Sequence, residues 1–92
     1  SFLSIANDIY IVENSRKEDT LHEESIHKLN MLRIRLLYEV GRFEKEVKPF
    51  IEESQLISYI KGIGTSRKKF IEFFRYLEAL VAYHRYLGES KL

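Results

Sequence analysis

Residues Phe70 to Gly88 read FIEFFRYLEALVAYHRYLG, the most strongly patterned segment of the chain. Apolar and aromatic side chains recur there at spacings of three and four, the repeat of a helix with one buried face. The predicted buried face consists of Phe70, Phe73, Phe74, Leu77, Leu80, Val81, His84 and Leu87. Thr65 or Ser66 can cap the start of this helix, and Gly88 occupies the position of a left-handed C-terminal residue. An aromatic helix is therefore predicted to supply much of the core.

The first half of the chain predicts two further helices joined by a polar loop. Phe2–Val12 resembles the end of a helix whose beginning is missing, because no capping residue precedes it. The charged segment Glu13–Thr20 is predicted to be a mobile loop. Thr20 can then cap a helix that continues to Gly41, with Glu23 at the capping-box position. The buried faces of these two helices are predicted to comprise Phe2, Ile5, Ile9 and Val12, and Ile26, Leu29, Leu32, Leu36, Leu37 and Val40.

Two shorter helices are predicted between Gly41 and the last helix. Phe43–Ile51 has apolar side chains at helical spacing, and Pro49 must kink that helix or begin a new turn. Gln55–Lys61 is predicted to be a short helix capped by Ser54 and stopped by the glycines around Ile63. Strand-like alternation is missing from the whole sequence. The predicted fold is therefore all-α, a small bundle of about five helices.

Length and composition limit the possible classes of protein. The 92 residues allow one domain, residues 1–92, which we expect to lack its native N-terminal segment because Ser1 is not a natural start. Fifteen basic and 14 acidic residues give a net charge of +1. The absence of cysteine excludes disulfides, and three histidines make a zinc site implausible. Without an apolar run of about 20 residues or a signal peptide, a cytoplasmic protein is expected.

The sequence offers little that could support catalysis. The only glycine-rich stretch, Gly62–Gly64, lacks a third glycine and follows no strand, so it does not predict a phosphate-binding loop. The acidic pairs Glu23-Glu24 and Glu52-Glu53 fit solvated helix faces beside basic residues. His84 fits a core or rim histidine better than a ligand or base. We therefore expect no enzyme activity and no cofactor.

Basic residues form one group on the second predicted helix. Lys28, Arg35 and Arg42 are seven residues apart, so they share one helix face. That face is predicted to lie opposite the leucine stripe and to point to solvent.

A second basic group, Arg67, Lys68 and Lys69, begins the last helix. Positive charge at a helix N-terminus opposes the macrodipole by about 0.3–1 kcal/mol per group. Such side chains beside free backbone N–H groups suit a visiting anion such as phosphate. The alternative is that these three residues only keep the surface soluble.

Two further features of the sequence have alternative interpretations. Arg33 is predicted to lie near the apolar face of its helix, where it either pairs with Glu78 or meets a ligand phosphate at a helix seam; we favour the pair. Six tyrosines are predicted to be half-buried rim residues, although exposed tyrosines also suit protein interfaces and base stacking. They are Tyr10, Tyr38, Tyr59, Tyr76, Tyr83 and Tyr86.

Three segments together resemble one family. They are NMLRIRLLYEVGR at residues 30–42, IKGIGTSRKKF at residues 60–70 and YLEALVAYH at residues 76–84. The chain is similar, over nearly its whole length, to the small helical subunit of type III-A CRISPR effector complexes, the Csm small subunit. The last motif is the most specific of the three. The beginning departs from the family, whose members usually start with a polar stretch and the first part of a helix.

The resemblance implies a non-catalytic subunit that stacks along a ribonucleoprotein filament beside the crRNA–target RNA duplex. Partners would be crRNA, target RNA, other subunits of the Csm complex and further copies of the chain, with a homodimer expected in isolation. The predicted function is RNA-backbone binding and assembly of the interference complex in antiviral defence. The alternative is a helical protein–protein interaction module without RNA contact. The predicted RNA-binding residues are Lys28, Arg35, Arg42, Lys48, Lys61, Arg67, Lys68, Lys69 and Arg75.

Overall fold

The computed structural model describes residues 2–42 and 55–88, and four α-helices lie in these two ranges. They are α1 (Phe2–Glu13), α2 (Glu23–Arg42), α3 (Leu56–Gly62) and α4 (Arg67–Tyr86). Within this part of the chain no strand is present, and one isolated bridge joins Thr20 to Ser66. The all-α class is therefore confirmed, with four helices where about five were predicted. The helix predicted over Phe43–Ile51 lies outside the described residues.

The aromatic face of α4 lies at the centre of the core, as predicted. Its buried side chains are Phe70, Phe73, Phe74, Leu77 and Val81. Leu80 and His84 are only partly buried, and Leu87 is 45% exposed, so the predicted face is too long at its C-terminal end. At about 1.5 Å per residue, the 20 residues of α4 extend well beyond the 12 residues of α1 that pack against it.

Among the side chains that the structure describes, which exclude that of Val40, two predicted members of the buried faces of α1 and α2 are exposed. Val12 is 43% exposed, and the neighbouring Glu13 is buried instead. In α2, Leu29, Leu32 and Leu36 are buried as predicted, whereas Leu37 is 61% exposed. Both errors concern neighbouring residues, Val12 beside Glu13 and Leu36 beside Leu37. Successive residues of a helix are turned by 100°, so only one of each pair faces the core.

The start of α2 differs from the predicted capping box. The helix begins at Glu23, and the Nδ1 atom of His22 accepts a hydrogen bond from the backbone N–H of Glu24 at 3.1 Å. Thr20 instead lies in a short antiparallel contact in which Leu21 N–H donates to the Thr65 carbonyl at 2.9 Å. The predicted cap was therefore wrong, because the backbone around Thr20 is held by a distant segment of the chain.

The ends of α3 and α4 are set by local chemistry. Ser66 caps α4, and its Oγ accepts from the backbone N–H of Lys69 at 3.2 Å, which confirms the prediction. Gly88 follows α4 with a φ of +74° and Gly64 follows α3 with a φ of +56°. Both values lie in the left-handed region that glycine adopts without strain. Gln55, also left-handed, precedes α3, whereas the predicted cap Ser54 lies outside the described residues.

Candidate nucleic-acid interface

A buried carboxylate joins the end of α1 to the loop that follows it. Glu13 is 0% exposed. Its Oε1 accepts from Arg16 Nη1 at 2.6 Å, and its Oε2 accepts from the backbone N–H of His22 at 3.1 Å. Burial by itself would raise the pKa of Glu13, but hydrogen bonds from Ser25, Arg16 and His22 outweigh it and lower the pKa below the ordinary 4.5. The carboxylate therefore stays ionised inside the protein.

Arg67, the first residue of α4, also bonds to this region. Its Nη1 donates to the backbone carbonyl of Glu13 at 2.9 Å, and its Nε donates to the carbonyl of Glu18 at 2.7 Å. The Glu13 carbonyl belongs to the last turn of α1, where carbonyl groups have no partner within the helix. Arg67 therefore ties the end of α1 and its loop to the start of α4.

The backbone at the start of α4 is less available to an anion than the sequence suggested. The N–H of Arg67 donates to the Asp19 carbonyl at 2.9 Å, and that of Lys69 donates to Ser66 Oγ. Two of the first three backbone donors are thus already used, so the expectation of free N–H groups was wrong at these positions. Lys68 and Lys69 are nevertheless exposed.

A basic groove of about 330 Å³ forms beside this junction. Its lining comprises Asn14, Arg16, Arg67, Lys68, Ile71, Glu72 and Arg75. Four of these side chains are cationic and one is a carboxylate, so the groove has an excess of positive charge. It brings together three of the predicted residues, Arg67, Lys68 and Arg75, of which the last two are exposed.

Arg16 in this basic groove was missed from the sequence. It comes from the segment that was predicted to be a mobile loop. The backbone bonds of Leu21 and Arg67 to Thr65 and Asp19 hold that segment against the α3–α4 junction. The sequence contained one usable signal, since Arg16 follows Glu13 by three residues, the spacing of an ion pair on a helical turn.

The other predicted basic residues lie apart from the groove. Lys69 lines a separate groove with Tyr59 and Gly62, and Lys61 is exposed on α3. Lys28 and Arg35 are half-buried, so their side chains are less exposed than the predicted solvent-facing position implies. The side chain of Arg42 and the whole of Lys48 lie outside the described residues.

The predicted pair between Arg33 and Glu78 is wrong. Arg33 Nη1 donates to Asn30 Oδ1 at 2.8 Å, and its Nη2 donates to the Ile60 carbonyl at 3.3 Å. Glu78 is exposed and lines a groove between α1 and α4. A neighbour one turn back and a carbonyl in α3 satisfy the guanidinium, so Arg33 has the structural role that we favoured, with different partners.

Comparison with known proteins gives the family. The model of the Csm2 Type III-A family matches residues 2–90 of the chain. The chain belongs to this family. The family named from the three sequence motifs is therefore confirmed.

Three curated Csm2 relatives, each described as "CRISPR system Cms protein Csm2", show the extent of the similarity. The relative from Mycobacterium tuberculosis (strain CDC 1551 / Oshkosh) is 36% identical over 85 residues, which cover 92% of this chain and 68% of the relative. That from Streptococcus thermophilus is 37% identical over 86 residues, with coverages of 94% and 66%. That from Enterococcus italicus is 30% identical over 88 residues, with coverages of 94% and 62%. The chain thus spans about two thirds of the length of these relatives.

The tyrosines of this Csm2-family chain divide between the core rim and the surface. Tyr10 stacks on Phe74 with ring centroids 4.3 Å apart, and Tyr59 stacks on Tyr76 at 5.1 Å. Tyr83 and Tyr86 are 60% and 86% exposed. The rim prediction therefore holds for Tyr10 and Tyr76, which are half-buried. It was wrong for Tyr59 and Tyr38, which are 36% and 52% exposed, and for the two tyrosines near the end of α4, which remain accessible to a partner.

The described part of the chain, residues 2–42 and 55–88, contains neither a candidate metal site nor a candidate membrane-spanning helix. In that part of the chain, no group of three or more histidine, cysteine, aspartate or glutamate residues could hold a metal ion. Each helix described there is too short or too polar to cross a membrane.

Proposed function

We propose that this Csm2-family chain is a non-catalytic small subunit of a type III-A CRISPR ribonucleoprotein in the cytoplasm. In this proposal it binds the backbone of the crRNA–target RNA duplex and helps to assemble the interference complex with the other Csm subunits, as part of antiviral defence. The observation that supports RNA contact is the basic groove at the start of α4, where Arg16, Arg67, Lys68 and Arg75 converge. Family membership supports the assembly part.

The composition of the basic groove suits phosphate rather than bases. Lysine and arginine side chains neutralise phosphates without reading sequence, and base pairing within a guided complex supplies the sequence specificity. An A-form duplex presents closely spaced phosphates, which a groove with several cations can follow. One copy of the chain offers few such contacts, so its own affinity is weak, and stacked copies bind together with higher avidity.

Within the basic groove, Lys68 and Arg75 are the residues best placed to test RNA contact. Both are exposed, and neither is bonded to the loop as Arg67 is. Removing Arg67 would disturb the junction between α1 and α4 as well as the groove, so its loss would confuse folding with binding. Lys28, Arg35, Arg42, Lys48, Lys61 and Lys69 remain candidates for a second line of contacts.

The test measures binding of a short RNA duplex at several salt concentrations, first with the variant Arg75→Gln. Removing one phosphate contact lowers affinity and reduces the slope of log K against log salt by roughly one. Adding Lys68→Gln should reduce the slope by about one more. Arg85→Gln is the matched control, because Arg85 is also an exposed arginine on α4, ten residues away. That separation is about 15 Å, beyond the screening length at physiological salt.

Two results would contradict this assignment. Binding that is equal for Arg75→Gln, the double variant and the wild-type chain would remove the basic groove from the RNA interface. An equal loss in Arg85→Gln would show that overall charge, rather than this groove, governs binding.

The exposed apolar face of α2 favours the second candidate function, a protein–protein interaction module. Met31, Ile34, Leu37 and Tyr38 are 47%, 68%, 61% and 52% exposed, and their positions share one side of the helix. Such a patch is typical of a subunit contact. RNA binding with no salt dependence, or no RNA binding at all, would favour this candidate over the RNA-contacting subunit.

A further inference from the structure

We infer that Glu13 is a positioning residue for the basic groove: its buried carboxylate holds Arg16 in the arrangement that meets phosphate, beside an Arg67 that is held by backbone carbonyls. This inference rests on the proposed RNA-backbone function and adds a residue that does not itself line the groove. Glu13 lies beneath the groove at the end of α1, whereas the two arginines come from the following loop and from α4.

The bonds of Glu13 reach both arginines by different atoms. Oε1 of the carboxylate accepts from Arg16 Nη1 at 2.6 Å, and the backbone carbonyl accepts from Arg67 Nη1 at 2.9 Å. On its other side the carboxylate accepts from the His22 N–H at 3.1 Å and from the buried Ser25. The carboxylate therefore cannot rotate away from Arg16 without losing its remaining hydrogen bonds.

A carboxylate at this position interrupts the buried apolar face of α1, although it also gives the His22 N–H and Ser25 a hydrogen-bond partner. Phe2, Ala6 and Ile9 precede it at spacings of four and three, so an apolar residue at position 13 would continue the buried face of α1. Replacing buried ion pairs by apolar residues of similar size is often neutral or stabilising, because the charges no longer have to be desolvated. A charge at this position is accounted for if the orientation of Arg16 is itself useful.

Ordered arginines bind phosphate more tightly because their rotamer freedom is already lost. Immobilising one long, flexible side chain on binding costs conformational entropy, which weakens the affinity. Releasing Arg16 should therefore weaken RNA binding by about three- to tenfold.

The decisive variant is Glu13→Gln, because a positioning role and a simple effect of charge predict opposite changes in its affinity for RNA. Removing a negative charge near the basic groove should strengthen RNA binding by long-range attraction. The glutamine, however, must turn its NH₂ group toward either Arg16 or the His22 N–H, two donors, so one bond becomes a donor–donor conflict. Positioning therefore predicts that affinity falls about three- to tenfold despite the gain in positive charge.

Glu72→Gln provides the matched control for charge. Glu72 is exposed and lines the same basic groove, so this change removes the same charge without touching either arginine bond. Its affinity for the RNA duplex should rise. If Glu13→Gln also binds as tightly as the wild-type chain or more tightly, the positioning inference is overturned.

A spectroscopic readout separates this inference from the proposed function. In the free protein, ¹⁵N relaxation of the arginine Nε–H groups should show Arg16 ordered in the wild type and more mobile in Glu13→Gln. Arg67, which is bonded to the backbone carbonyls of Glu13 and Glu18, should stay ordered in both proteins. Equal mobility of the Arg16 side chain in the two proteins would overturn the positioning inference, and this readout does not depend on RNA binding. Failure of the wild-type chain to bind RNA would instead refute the proposed function.

A second variant, Ser25→Ala, keeps the experiment informative if Glu13→Gln does not fold. It removes one hydrogen bond to Glu13 and changes no charge. A smaller loss of affinity, about twofold, with partial mobility of Arg16 supports positioning. If Glu13→Gln does not fold, and Ser25→Ala has wild-type RNA affinity and a wild-type order of the Arg16 side chain, the role of Glu13 is purely structural.

Discussion

At the scale of single residues, position 13 shows how the spacing of a buried face and the type of residue can conflict. The sequence pattern assigned the last buried position of α1 to Val12, because valine is apolar and glutamate is not. The helix instead buries Glu13 completely and leaves Val12 exposed. Hydrogen bonds to Arg16 and the His22 N–H make this burial tolerable, since a buried charge requires partners.

The lowered pKa of Glu13 predicts how stability depends on pH. A carboxyl group with a lower pKa in the folded state than in the unfolded state stabilises the fold at pH values above its unfolded pKa, and that contribution is lost as pH falls. Urea unfolding at pH 7 should therefore find Glu13→Gln less stable than the wild type. The difference should narrow as pH falls below about 4.5, the ordinary pKa. A difference that stays constant down to pH 3 would contradict this.

Residue-scale features were predictable from the sequence where their causes are local. The cap at Ser66 and the left-handed Gly88 depend on backbone groups within one turn, and both predictions were correct. The partners of Arg67 lie 49 and 54 residues away along the chain. Sequence spacing carries no information about such contacts, so Arg67 was identified as a basic residue but its structural bonds were missed.

At the scale of elements, the turn between α3 and α4 depends on one of its two glycines. Gly64 has a φ of +56°, whereas Gly62 ends α3 without a positive φ, and a Cβ atom at either position would meet open space. Gly64→Ala should destabilise the fold by about 1 kcal/mol through backbone strain. Gly62→Ala should stabilise it by about 0.5 kcal/mol, because alanine favours the helix. Chemical denaturation of both variants measures the contrast, and equal effects would contradict it.

The ends of helices were predicted well at glycines. They were predicted poorly where the backbone bonds to a segment that is distant in the sequence. The end of α3 and the end of α4 are close to the predicted positions because glycine interrupts each helix. The start of α2 was placed too early, since Thr20 fits a capping box but its backbone pairs with the segment before α4. Local propensity was overridden there by tertiary hydrogen bonds.

At the scale of the whole molecule, the described residues present two different surfaces. The basic groove lies at the start of α4, and the exposed apolar residues lie along α2. The proposed function uses both surfaces, one for phosphates and one for neighbouring proteins. The family and three of the four cations of the groove could be named from the sequence. Arg16 and the exposed face of α2 were missed, because both depend on how distant parts of the chain pack together.

The apolar surface of α2 yields a prediction about assembly, argued from two neighbouring positions. Leu36 is 1% exposed and Ile34 is 68% exposed. Leu36→Ala should cost about 3 kcal/mol of folding stability, whereas Ile34→Ala should change it by less than about 0.5 kcal/mol.

Ile34→Glu should therefore fold normally. It should enter a complex reconstituted from purified Csm subunits poorly, because a charge would be buried against an apolar partner. Native mass spectrometry of the reconstituted complex measures how many copies of the variant it contains. Normal incorporation of Ile34→Glu would show that this face of α2 points to solvent in the assembly.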